Sequence, residues 1–189
     1  IYDRLVGSEM CIRDSAIIGE RLEVDILNTV FDTCEDIVLT SKQNDNYKDF
    51  RLNVLTVLGL DFDKLNEEEF KQKQPEDITR ELFKAVNENY NNKNKSISEA
   101  AYPILKKIKK ERGGVVKDIL IPFTDGNRQI GVSVNLDESL ENNGENIIKE
   151  MQKIVSLGMI DLNWKEHLRE MDDLKQSVQS AVYEQKDPC

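Results

Sequence analysis

The chain has 189 residues and a formal net charge of −10 at pH 7. This length suffices for one domain or two small ones with a real core, and the charge argues against general binding to nucleic-acid phosphates. No apolar run approaches the roughly 20 residues of a membrane-spanning helix. The three cysteines, Cys11, Cys34 and Cys189, are odd in number and far apart, which argues against a disulfide framework and favours a reducing cytosol.

The beginning of the chain differs in character from the rest. Residues Ile1–Ser15 lack an apolar period and resemble a translated sequencing adaptor, so we exclude them as a non-native, disordered tail. We also expect both ends of the chain to reflect a fragmentary gene read. From Ala16 to Ser41, apolar residues lie on one helical face and acidic residues on the other, which predicts an amphipathic helix with Cys34 as a small core residue.

Shorter helical segments follow. One is predicted over Tyr47–Leu58, where Gly59 ends it. Another is predicted over Glu67–Lys73, where Pro75 stops it. The apolar period then indicates a helix from Glu76 to about Asn92.

A polar run, Asn91–Asn94, predicts a break after that helix. Ser96 with Glu99 three residues later has the spacing of a capping box, so a new helix is predicted to begin there and to end at Gly113-Gly114. Pro103 lies inside this segment and predicts a kink or a late start. The basic cluster Lys106–Arg112 is most simply a solvated helix face.

The apolar period changes between Val115 and Leu136. Two β-rich runs flank Asp125-Gly126, which predicts a β-hairpin. An isolated hairpin is marginally stable, so we expect it to lie against the neighbouring helices. Asp137–Asn142 is predicted to form a new helical turn, and Asn143-Gly144 to bend the chain before the final segment.

The longest helical pattern runs from Glu145 to Lys186, and no proline interrupts it before Pro188. If it is one helix, it spans about 60 Å at about 1.5 Å per residue. Apolar residues recur along it mostly at steps of three and four; they are Ile147, Ile148, Met151, Ile154, Val155, Met159, Ile160, Trp164, Leu168, Met171, Leu174, Val178 and Val182.

The sequence contains no motif for catalysis. It lacks a phosphate loop, a dinucleotide fingerprint and a nucleophile elbow. His167 is the only histidine, which excludes a metal site built on several histidines of this chain. We therefore expect no catalytic residue, no metal and no cofactor in this chain, and no activity of the chain alone.

Three runs of residues stand out in the final segment: W-K-E-H-L at Trp164–Leu168, M-D-x-L at Met171–Leu174, and Y-x-Q-K-D-P at Tyr183–Pro188. Through these runs the segment resembles the SecA family of ATP-driven preprotein translocation motors. Upstream, residues 16–140 are more loosely similar to the wing of Bacteroidetes-type members. One departure is Ser177–Val182, where many members have a basic, glycine-containing segment.

The resemblance implies a mainly α fold with long scaffold helices and a small helical wing that carries one β-hairpin. It divides the chain into a scaffold helix (16–44), a wing (45–136, with its hairpin at 115–136) and the first helix of a two-helix finger (137–189). It implies that the chain is a fragment that couples ATP-powered motion to movement of unfolded preproteins through a membrane channel. ATP and Mg²⁺ would belong to motor domains outside this chain. The implied partners are the preprotein, the channel and those motor domains, with no nucleic acid, at the cytoplasmic side of the inner membrane.

The resemblance also assigns site residues. Tyr183 would be the fingertip that contacts the moving polypeptide, since a rigid amphipathic ring packs on varied side chains; the alternative is an exposed tyrosine at a helix end. Trp164 is expected to be buried against the Ala16–Ser41 helix, and His167 to be a hydrogen-bonded structural imidazole beside it. The expected scaffold anchors are Trp164, His167, Leu168, Met171 and Leu174.

Two other functions stay open from the sequence. The main alternative is a stand-alone acidic helical adaptor that binds proteins without a motor. A weaker alternative is an unrecognised hydrolase, since no catalytic motif supports it. The runs from Trp164 to Pro188 favour the translocation motor over the adaptor.

Overall fold

The computed structural model describes residues 21–112, 115–124, 126–127 and 129–183. Its helices and the two strands of one antiparallel hairpin confirm the predicted class, mainly α with one β-hairpin. In chain order the elements are α1 (Leu22–Gln43), α2 (Tyr47–Leu58), α3 (Glu67–Gln72), α4 (Pro75–Arg112), β1 (Asp118–Thr124), β2 (Gln129–Asn135), α5 (Leu136–Glu141) and α6 (Glu145–Tyr183).

The chain divides into two compact units, with the boundary between residues 148 and 149 of α6. The tail at Ile1–Ser15 and the start of the first predicted helix at Ala16 lie outside the described residues. The predicted domain limits at 16–44, 45–136 and 137–189 follow the family resemblance rather than compactness, and they stay a prediction. Within the described residues, no helix has both the length and the apolar composition needed to cross a membrane.

The main hydrophobic core lies among α1, α2, α3 and the first half of α4. Phe50 is fully buried, with ring centroids 5.0 Å from Phe70 and 6.4 Å from Phe62. Phe31 of α1 meets Phe83 of α4 edge to face at 5.4 Å. The buried members of this core are Cys34, Ile37, Val38, Phe50, Val54, Phe62, Leu65, Phe70, Ile78, Leu82, Ala85 and Val86.

The short helices begin and end where their local sequence directs. The side chains of Asn46 and Asn66 accept hydrogen bonds from the backbone amides of Asp49 and Glu69, at 3.2 Å and 2.8 Å, as N-cap residues do. Gly59 ends α2 in the left-handed conformation, with φ of 61°, which costs glycine little. The predicted bounds of α2 are confirmed, and α3 ends one residue earlier than predicted.

Helix α4 corrects several predictions, because it is one helix of 38 residues. Pro75 begins α4 rather than only stopping α3, since proline is tolerated in the first helical turn, where its missing N–H needs no partner. The predicted break at Asn91–Asn94 is wrong, and so is the capping box at Ser96. The Ser96 hydroxyl donates to the carbonyl of Asn92, four residues back, at 2.9 Å.

The hairpin pairs Asp118 with Asn135 at its open end and Thr124 with Gln129 at its turn. Val132 and Val134 of β2 are buried, whereas Leu120 of β1 is 71% exposed. β2 packs against α5, and α5 packs against α4. The Asn135 side chain accepts hydrogen bonds from the amides of Asp137 and Glu138 and caps α5.

A tight turn leads from α5 into α6. Asn143 and Gly144 both have positive φ, of 50° and 86°, as the predicted bend requires. A Cβ on Gly144 would lie 3.3 Å from the carbonyl oxygen of Ser98 in α4. The Ser98 hydroxyl in turn donates to the carbonyl of Gly144 at 3.3 Å, so this turn is held against the middle of α4.

Candidate functional site on the final helix

Helix α6 carries large apolar side chains that are exposed to solvent in the part of the chain that the structure describes. The exposed fractions reach 53% at Leu162 and 59% at Leu174. Scattered exposed apolar residues are ordinary, but a concentration along one helix marks an interaction surface. The exposed residues are Val155, Met159, Leu162, Met171, Leu174 and Val178.

These residues form two faces rather than one stripe. At about 100° of rotation per residue, Val155, Met159 and Leu162 share one side of the helix, here called the first face. The second face lies roughly 150° away by the same rotation. Its members are Ile160, Trp164, Leu168, Met171, Leu174 and Val178. The prediction from steps of three and four did not include the change of side near Met159, although the residue spacing contains it.

Trp164 is half-buried rather than buried, so the prediction of full burial is wrong. Its ring lies 5.7 Å from that of His167, three residues later, in a tilted arrangement. Because the two rings sit one turn apart on the same helix, each shields part of the other from solvent. Packing of Trp164 against α1 stays a prediction.

The remaining predicted anchors are not core residues of the described chain. Leu168 is half-buried, His167 and Met171 are exposed, and Leu174 is more exposed still. Their assignment as scaffold anchors stays a prediction.

Charged residues beside the two faces pair within α6. Lys165 contacts Asp161 at 2.6 Å, and Arg169 contacts Glu166 at 3.1 Å. Both pairs are solvent-exposed and each contributes a few tenths of a kcal/mol. These charges keep the polar sides of the helix hydrated and border the apolar faces.

Tyr183 is the last residue that the structure assigns to α6. Its side chain and residues 184–189 lie outside what the structure describes. The fingertip assignment of Tyr183 therefore stays a prediction.

Two observations concern side chains that could bind a metal or react. In the described ranges, no three histidine, cysteine, aspartate or glutamate side chains are placed to hold a metal ion. Burial in the α1 core raises the pKa of the Cys34 thiol to about 11, which keeps it protonated and unreactive near neutral pH.

Comparison with known proteins decides the family. A family model described as the SecA wing and scaffold domain matches residues 11–189. The chain belongs to the SecA wing and scaffold family. The match includes residues 11–15, which belong to the segment Ile1–Ser15 that we excluded above as a non-native tail.

Relatives extend this match across the chain. The SecA protein translocase subunits of Cytophaga hutchinsonii and Christiangramia forsetii are each 38% identical to it, and that of Parabacteroides distasonis is 36% identical. Each alignment covers 99% of this chain but 17% of the relative. The chain thus spans about one sixth of the length of these SecA proteins. No solved structure matches it.

Proposed function

We propose that this chain is the wing and scaffold part of a SecA motor, which uses ATP to move unfolded preproteins through a membrane channel. The observation that carries the proposal is the SecA wing and scaffold match over residues 11–189. In this proposal the chain performs no chemistry itself. It transmits motion from the motor domains of the same protein to the polypeptide.

The two faces of α6 support this assignment. They lie on different sides of one long helix, and both carry large side chains exposed in the described residues. A helix with apolar residues on two sides suits a spine that packs against more than one partner. We propose that the remaining parts of the same SecA protein cover these faces, since the relatives extend far beyond the matched segment.

The location and ligands follow from the same proposal. A complete motor would act at the cytoplasmic side of the inner membrane, in peripheral contact with the channel. ATP and Mg²⁺ would bind to its motor domains. The residues of this chain would position the polypeptide, with Tyr183 at its point of contact.

A chimeric motor tests the proposal. Residues 11–189 would replace the matching segment of the Cytophaga hutchinsonii SecA, and transport of an unfolded precursor into channel-bearing vesicles would be measured beside ATP binding. We expect the chimera to transport the precursor. A chimera that binds ATP but moves no precursor, made from a chain that folds normally alone, would favour the adaptor instead.

The same chimera tests Tyr183. We expect Tyr183→Ala to impair transport and to leave ATP binding intact, because the fingertip would lie far from the nucleotide. Tyr183→Phe is the matched control, since it keeps the ring, and it should retain most transport. Normal transport by the Tyr183→Ala motor would contradict the fingertip assignment and favour the alternative, an ordinary tyrosine at a helix end.

A further inference from the structure

Helix α4 carries two separate sets of buried side chains. Its first half contributes Ile78, Leu82 and Val86 to the core that it shares with α1, α2 and α3. Near its other end, Leu105 is buried outside that core cluster. We name the two parts by their elements: the first lobe is α1, α2, α3 and residues 75–90, and the second lobe is residues 98–112, the hairpin, α5 and the first turn of α6.

Contacts within the second lobe are independent of the first core. Lys109 forms an ion pair with Asp137 of α5, and the Ser98 hydroxyl bonds to Gly144. Ile147 and Ile148, in the first turn of α6, are also buried. Among the described residues, α4 packs closely against α5. Neither the hairpin nor α5 makes a contact of that extent with α1, α2 or α3.

Each lobe therefore holds a different long helix. α1 is bound to the first lobe through Cys34, Ile37 and Val38. The first turn of α6 is buried at Ile147 and Ile148, and the turn just before it is tied to the second lobe by the hydrogen bond from the Ser98 hydroxyl to the Gly144 carbonyl. The continuous backbone of α4 connects the two lobes.

The connecting part of α4, residues 91–96, has the sequence Asn-Asn-Lys-Asn-Lys-Ser. All six side chains are polar, and five of them are exposed. Asparagine and serine are weaker helix formers than alanine, because their side chains compete for backbone hydrogen bonds. In the described structure, the hydrogen bond from Lys93 Nζ to the Gly59 carbonyl, at 3.2 Å, ties this segment to another element.

Pro103 weakens the helix further along. Proline has no N–H, so the carbonyl of Glu99 lacks its usual partner within α4. The helix thus has a segment of low intrinsic stability at residues 91–96, between two well-packed ends, and a separate missing hydrogen bond at Glu99 within the second lobe. Local opening is easiest where buried apolar contacts are few and backbone hydrogen bonds are exposed to water.

We propose that residues 91–96 of α4 are a hinge between the two lobes. Bending at this hinge changes the direction of the first turn of α6 relative to α1, while both lobes stay folded. This inference rests on packing and composition alone, so it stands or falls independently of the proposed translocation function.

Hydrogen exchange of the 189-residue chain tests local opening. The amides of residues 91–96 should exchange at least tenfold faster than those of residues 82–86 and 105–109. The triple variant Asn91→Ala, Asn92→Ala and Asn94→Ala should slow this exchange on the order of tenfold, given the helix propensities of the two residue types. The control pair Arg80→Ala and Lys84→Ala, at exposed sites on the first half of α4, should leave it unchanged. Equal protection along the whole of α4 would overturn the hinge.

A distance measurement tests motion between the lobes. Spin labels would be placed at Glu68→Cys in α3 and Ser133→Cys in β2, both exposed, with Cys11 and Cys189 replaced by serine. The distance distribution between the labels should narrow in the triple alanine variant and not in the control pair. An unchanged width would show that opening at residues 91–96 does not move the lobes, and would also overturn the proposal.

Discussion

The sharpest test of the first core is the substitution Phe50→Ala. Phe50 has 0% exposure, and its ring lies 5.0 Å from Phe70, 6.2 Å from Tyr47 and 6.4 Å from Phe62. Truncating a fully buried aromatic residue costs about 3–5 kcal/mol, through lost transfer free energy and the cavity left behind. Aromatic pairs add about 0.5–1.5 kcal/mol beyond the buried area. We expect a loss of about 4 kcal/mol in the free energy of unfolding, near the middle of the range for a core aromatic.

Urea denaturation followed by circular dichroism measures this loss. The matched control is Leu52→Ala, two residues away on α2, where the side chain is 58% exposed. The control should change the free energy of unfolding by no more than about 0.5 kcal/mol. If Phe50→Ala is too unstable to purify, Phe50→Leu keeps most of the apolar volume and should cost about 1–1.5 kcal/mol. A loss below about 1 kcal/mol for Phe50→Ala, or equal losses for Phe50→Ala and Leu52→Ala, would refute this account of the core.

Two further predictions concern α6 and α1. Because Trp164 is half-buried, Trp164→Ala should lower the free energy of unfolding by about 1–2 kcal/mol, less than the roughly 3–5 kcal/mol of a core aromatic. Urea denaturation followed by circular dichroism measures this loss. A loss in the core range would show that the ring is fully packed. Burial raises the pKa of Cys34 from its ordinary value of 9.0 to about 11, so its contribution to stability is complete below pH 9 and is lost as pH rises through 11. The difference in unfolding free energy between the parent chain and Cys34→Ala should therefore shrink from pH 9 to pH 11, and a constant difference in melts across that window would contradict the burial argument.

Local signals in the sequence predicted most elements of the fold. Gly59 marks the end of α2 because its left-handed conformation costs a residue without Cβ very little. The hairpin follows from two β-rich runs around Gly126, which has φ of 94°. Such signals act between residues close in sequence, so they can be read without knowing what packs where.

The asparagine-rich middle of α4 shows where local signals fail. The composition of residues 91–96 favours a break, yet the helix continues through them. Burial of Leu82 and Val86 before this segment, and of Leu105 after it, holds both ends in helical geometry. The short polar segment between them therefore also stays helical. Packing overrode propensity, as it often does.

The final segment was predicted to be one helix with apolar residues at steps of three and four, and Trp164 was expected to be buried. The residue types and their spacing were correct. However, the side of α6 that carries the apolar residues changes near Met159, and Trp164 is half-buried. Periodicity identifies which side chains are apolar and which share a face. It does not contain the information on which faces meet a partner, because that depends on elements distant in sequence.

The sequence by itself determined the helical class, the hairpin, the bounds of α2 and the motifs by which the chain resembles the SecA family. Each of these depends on interactions within a few residues, or on residue types at set offsets. Only the tertiary structure decided that α4 is continuous and that the turn at Gly144 is held against Ser98. It also decided that apolar residues on both sides of α6 stay exposed in the described part of the chain. These features depend on which surfaces exclude water from one another, and that is a property of the folded chain as a whole.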